Sequence, residues 1–211
     1  AEHAADVWVA FNRRHYASVQ RARRYIVADG GVSSVWVEIT EATDRIDPAG
    51  HPEAVLRRWG IANTSHVLDL AFDLAGPPTR LRAEQHGSAV PWHPAGSMFT
   101  GTGRIADGVP IAYHGDWGAP GRWRLEVNTR SRKLLFAPLE ELQVQEHGRF
   151  TLETVQLDDG LDQRYKPGYY RQVKRFVAGG GDDLLPLTDL ADRLQVYEEI
   201  FGYADTAMPG G

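Results

Sequence analysis

From Thr79 onward the chain keeps a two-residue rhythm that only one kind of architecture can absorb. Six segments, 79–85, 97–104, 109–116, 122–129, 133–138 and 150–155, alternate apolar with polar residues and are separated by Gly, Pro, Asp or Ser clusters at hairpin spacing. That pattern predicts a long antiparallel meander. Each such strand offers one face to a core and the other to something else. The fold class that follows is α+β: an open, predominantly antiparallel sheet with helices packed on one face. The strands also carry Phe99, Tyr113, His114, Trp117 and Trp123. An aromatic-rich free face suits a sugar ring or a second copy of the chain, so Tyr113 and Trp117 are candidate substrate contacts.

The roof of that sheet is to come from the helical segments. Residues 59–76, W-G-I-A-N-T-S-H-V-L-D-L-A-F-D-L-A-G, place Ile61, Ser65, Leu68 and Phe72 on one stripe with Val67, Ala71 and Leu74 beside it. The spacing predicts a largely buried helix closed by Gly76. On it His66 and Asp69 lie three apart, with Asn63 one turn earlier. A carboxylate beside an imidazole can fix its tautomer and raise its basicity, as acid/base chemistry requires. On spacing alone, the plainer reading of a capped core helix with a hydrogen-bonded histidine stands ahead of catalysis.

Upstream, 7–11 (VWVAF) reads as a short apolar strand paired on both sides. Arg13 and Arg14 follow at a strand-to-helix junction, a place to grip a phosphate or carboxylate bidentately or simply to pair with acids. A helix then runs through Tyr16, Val19, Ala22 and Ile26 to the stop at Asp29-Gly30-Gly31. Residues 32–40 (VSSVWVEIT) read as a strand paired with the first strand or its neighbour, and the polar stretch that follows as an excursion. Beyond the meander, Lys166-Pro167-Gly168 opens a helix through Tyr169, Gln172, Val173 and Phe176. Pro186-Leu187-Thr188 opens a last one, and the tail ADTAMPGG is expected to fray.

Composition removes several function classes. A formal charge of −5 over 211 residues gives no basic footprint for nucleic acid or an anionic membrane. Cysteine is absent, so there is no disulfide framework, thiolate nucleophile or thiolate metal site. No segment approaches a membrane span or a signal peptide, which predicts a cytoplasmic protein. The histidines show no metal-ligand spacing, so no metal site is expected. G-x-G-x-x-G, G-x-x-x-x-G-K-[ST] and G-x-S-x-G patterns in their proper contexts are missing.

Taken in order, several stretches resemble one family. NRRHYASVQRARRYI after an apolar strand, GVSSVWVEITEA, the H-x-x-D helix ending in Gly, the meander, F-A-P-L-E-E-L, K-P-G-Y-Y-R-Q-V-K-R-F and the L-T-D-L-A-D helix are similar to the C-terminal half of Gfo/Idh/MocA oxidoreductases. The resemblance runs from about Val7 to Phe201, with W-G-I-A-N-T-S-H pointing toward polysaccharide and nucleotide-sugar metabolism. It implies one domain over 1–211, a dihydrodipicolinate-reductase-like C-terminal domain that binds a sugar-like substrate and forms homo-oligomers through its sheet face. It implies acid/base duty for His66, a supporting role for Asp69, and places for Arg13 and Lys166 near the substrate cleft beside Asn63. The family's NAD(P) sits on a Rossmann domain with a Glu-Lys-Pro lysine. Neither is in this sequence, and Ala62 stands where many relatives have Asp. NAD(P) is therefore expected only with a separate Rossmann subunit or a missing domain. Two alternatives remain: a cofactor-independent lyase, epimerase or cyclase using His66, and a non-catalytic binding or scaffold module.

Overall fold

A computed structural model describes residues 7–181 and 183–203. The expected fraying of the tail lies outside them. Eight strands form the main sheet in the order β3-β4-β5-β2-β6-β7-β8-β9. In chain order these are β2 (Ser34–Glu38), β3 (Pro78–His86), β4 (Met98–Ile105), β5 (Pro110–Asp116), β6 (Arg124–Asn128), β7 (Arg132–Phe136), β8 (Gln143–Glu146) and β9 (Glu153–Thr154). Every pairing is antiparallel except β2 with β5.

The helices are α1 (Ala17–Ala28), α2 (Glu53–Leu56), α3 (Ser65–Ala75), α4 (Gly160–Arg164), α5 (Tyr169–Val177) and α6 (Leu187–Phe201). α3 packs against β2 and β6, and α6 against β3 and β4. Alternation along the strands decides which residues meet them. Val35, Val37, Ile111, Leu125, Val127, Leu134 and Phe136 point into the same core as Val19, Ala22, Leu68 and Phe72. Burial of side chains of this size stabilises by about 1.5–3 kcal/mol each. Their neighbours Trp36, Glu38, Ala112, His114, Arg124 and Glu126 occupy the opposite face, where none is fully buried.

Several expectations need correction. The 7–11 strand shrinks to β1 (Trp8–Val9), which pairs on one side only, with β10 (Leu185–Pro186), in a ribbon apart from the main sheet. Its backbone turns at once: the Phe11 and Asn12 N–H groups bond back to Val9 and Ala10 carbonyls, leading into the 3₁₀ turn Asn12–His15. The strand 32–40 does form, but it inserts between β5 and β6 and splits the meander. Strand β8 and helix α4 were not anticipated, and 150–155 contributes only two strand residues. The central helix begins with a single π-turn, Gly60–Thr64, in which the Ser65 N–H reaches back to the Gly60 carbonyl. Among the described residues no helix is long and apolar enough to cross a membrane.

Candidate functional site

The N-terminal end of α3, the turn after β1, the end of β2 and the start of β6 converge on one place. His66, in the first turn of α3, is half-buried, with its ring edge-on to Phe11 at 5.1 Å. Its Nδ1 is buried without a hydrogen-bond partner among the described residues. Burial, reinforced by the charges of Arg13 and Lys166, pushes the imidazole pKa down to about 3. The ring is therefore neutral at physiological pH.

Arg13 sits on the 3₁₀ turn with its guanidinium over the Trp123 ring, 4.7 Å from the centroid. One Nη donates to Asn12 Oδ1 at 3.3 Å. Burial lowers its pKa. Asn12 also fixes the second cation, because its Nδ2 donates to the Pro167 carbonyl at 2.9 Å, seating the Lys166-Pro167-Gly168 turn on the arginine turn. Gly168 is required there. Its φ is +76°, and a Cβ would lie 2.0 Å from the Asn12 carbonyl oxygen. Asp162 clamps the junction by accepting from the Ala17 and Gly168 N–H groups. Lys166 is exposed, its Nζ 3.4 Å from the Tyr169 hydroxyl and 4.7 Å from that ring's centre.

Glu41, just past β2, is the buried anion of the site. Its carboxylate accepts from Thr64 Oγ1, from Asn63 Nδ2 at 3.1 Å on both oxygens, and from Trp123 Nε1 at 3.1 Å. Burial pushes its pKa up, opposed by those donors. The π-turn lets Asn63 and Thr64 reach the same carboxylate while His66 stays half-buried in the next turn. Such bulges recur at functional sites.

The structure thus gathers Arg13, Asn63, His66 and Lys166. It disperses the other candidates. Asp69 does not touch His66: it is fully buried and takes Arg14 Nε and Nη2 at 2.7 and 2.6 Å and Arg193 Nη1 at 2.8 Å. Arg14 also approaches Asp73 at 3.4 Å, so the second arginine of the pair is structural. Tyr113 and Trp117 are core residues rather than substrate contacts. Tyr113 lies across Gly101 of the neighbouring strand, and Trp117 donates to the Ile39 carbonyl at 2.9 Å. Adjacent strand residues face opposite ways, so Tyr113 and His114 cannot share a free face. The tyrosine took the helix side.

Glu41, Phe11 and Tyr169 were not assigned to a site from the sequence, where Phe11 and Tyr169 read only as strand and helix residues and Trp123 only as one aromatic among several. Glu41 is 22 residues from Asn63 and 82 from Trp123, so no local pattern could join them. Among the described residues no group of three or more His, Asp or Glu could hold a metal ion. Nor do they offer a glycine-rich turn between a parallel strand and a helix of the kind that cradles a dinucleotide pyrophosphate.

No protein-family model and no curated protein matches this chain. Solved structures do. The chain is similar to UDP-N-acetylglucosamine 3-dehydrogenase GnnA from Acidithiobacillus ferrooxidans, with TM-score 0.66 and 18% identity over 92% of this chain and 61% of that one. It is likewise similar to levoglucosan dehydrogenase solved with NADH and levoglucosan, with TM-score 0.62 and 18% identity over 93% of this chain and 63% of that one. The chain spans about three fifths of the length of these structures. The likeness is one of fold: this sheet-and-helix architecture is shared with structures of Gfo/Idh/MocA-type oxidoreductases.

Proposed function

We propose that residues 1–211 form the substrate-binding and oligomerisation domain of a cytoplasmic NAD(P)-dependent sugar or nucleotide-sugar oxidoreductase, with His66 as acid/base. The observation that carries this reading is the neutral, half-buried imidazole of His66 in the first turn of α3, with the charges of Arg13 and Lys166 near enough to act on it. Oxidation of a sugar hydroxyl requires a group to receive its proton, and a positioned imidazole is the commonest. NAD(P), when bound, accepts the hydride. Here His66 holds the proton, Arg13 and Lys166 orient the substrate, and Asn63 with Glu41 keeps the π-turn in place.

The dinucleotide is held by a Rossmann unit docked beside this domain. Exposed apolar side chains support that arrangement: Phe176 and Val177 of α5 are 54% and 78% exposed, Phe176 packs edge-on against Trp8, and exposed Val7 and Leu187 adjoin through a backbone hydrogen bond. The free face of the sheet, bearing Trp36, Ala112 and His114, is the surface for a second copy of the chain.

The test is titration of NAD(H) and NADP(H) into the purified chain, followed by titration of neutral and charged sugars with wild type and His66→Ala. Sugar binding without dinucleotide binding is expected. Tight binding of NAD(P)H by the chain alone overturns the division of labour. Turnover of a sugar without any dinucleotide, lost in His66→Ala, replaces the proposal with a cofactor-independent lyase, epimerase or cyclase.

A further inference from the structure

Most buried or half-buried arginines of this protein are matched with a carboxylate: Arg14 and Arg193 with Asp69, Arg132 with Asp29, Arg171 with Asp162. Arg13, like Arg21 on Tyr25, is instead stacked on an aromatic ring. Among the described residues no carboxylate comes within 4.0 Å of its guanidinium, and the same holds for Lys166. The carboxylates whose charge Arg13 feels are Glu41 and Glu140. Glu41 has both oxygens engaged by Asn63, with Thr64 and Trp123 sharing one of them, and Glu140 is a solvent-exposed residue.

A desolvated cation with no carboxylate in contact is unfavourable in the free protein, and an anionic ligand would supply that contact. Trp123 stacks on one face of the Arg13 guanidinium and Asn12 takes one Nη, which leaves the remaining N–H groups without a carboxylate acceptor among the described residues. Lys166, held by the turn that Asn12 seats, adds a second positive charge that acts on His66.

Building on the sugar reading above, we propose that the substrate is an anionic sugar whose carboxylate or phosphoryl group seats against Arg13 and Lys166 while a ring hydroxyl faces His66. Burial first, and the two cations second, suppress protonation of the imidazole in the free protein, so neutralising the cations removes the second of these causes when substrate is present. Charge recognition and proton acceptance are thereby linked through one ring. A neutral pyranoside lacks this link.

The test is calorimetric titration of the full chain with methyl glucoside, glucuronate, glucose 1-phosphate and inorganic phosphate, repeated for Arg13→Gln and Lys166→Gln. Lys166 is exposed, so its variant reports on charge without risk to folding. The His66 ring is followed by NMR in parallel. We expect one charged sugar to bind at least about tenfold more tightly than the glucoside. That preference should fall in both variants, and the His66 titration midpoint should rise on binding. Preference for glucuronate assigns a carboxylate, and preference for glucose 1-phosphate a phosphoryl group. Equal binding of neutral and charged sugars overturns the anionic assignment and leaves the sugar reading intact. Binding of inorganic phosphate alone, or of no probe, overturns both.

Discussion

Replacing Asp69 with alanine separates two roles that its sequence position allows. In the structure Asp69 is fully buried and accepts three charge-assisted hydrogen bonds, two from Arg14 and one from Arg193, at 2.6–2.8 Å. Removing the carboxylate strands the Arg14 guanidinium, whose side chain is 4% exposed, with Asp73 at 3.4 Å as its remaining partner. Arg193 is 14% exposed and can swing toward water. Breaking a buried ion pair from one side costs about 3–5 kcal/mol, and the residual Asp73 contact places this case near the lower end, about 3 kcal/mol. For a chain of this size that corresponds to a fall in Tm of about 6–12 °C. Urea unfolding should show a lower midpoint at unchanged slope, while the His66 titration followed by NMR stays where it is. A stability loss under about 1 kcal/mol, or a shift in the His66 midpoint, would refute the argument and restore Asp69 as the histidine's partner.

Gly60→Ala should destabilise by about 1–3 kcal/mol through overpacking, because the new Cβ would lie 2.4 Å from the Phe201 ring. Helix propensity alone predicts a gain of about 1 kcal/mol, so the sign in a chemical unfolding curve decides between them. Glu41→Gln should cost about 1–3 kcal/mol by leaving donors of Asn63, Thr64 or Trp123 unmatched, and Trp123 fluorescence should shift with it. The depressed His66 pKa makes the folded state bind fewer protons than the unfolded one between about 3 and 6.5, so its contribution to stability is lost as pH falls through that window. His15 and His93, also lowered by burial, act with the same sign, and Glu41, raised, acts oppositely. His66→Gln should lose less stability on acidification than wild type. Parallel pH profiles of the two would refute the shift.

Much of the secondary structure was local enough to read. Gly76, at φ +95°, ends α3 where the sequence placed its cap, and the alternation in 97–104 and 109–116 became β4 and β5 with shifts of one residue. Boundaries failed where a tertiary partner sets them. β1 was read too long because VWVAF is apolar throughout, yet the Asn12–His15 turn, anchored to Pro167, pulls the chain out of extension after two residues.

The sequence by itself determined that α-helices cover a mainly antiparallel sheet and that His66 lies on the buried one, since both follow from periodicities of 2 and 3.6 residues. Tertiary structure alone decided which charges meet. His66 and Asp69 are neighbours along a helix but diverge, because Arg14, 55 residues away, offers the carboxylate a fork that the imidazole cannot match. Arg13 and Lys166, far apart in the chain, share His66 because one asparagine and one glycine lock their turns together. Electrostatic partners are chosen by distance in space, and local pattern carries no record of that distance.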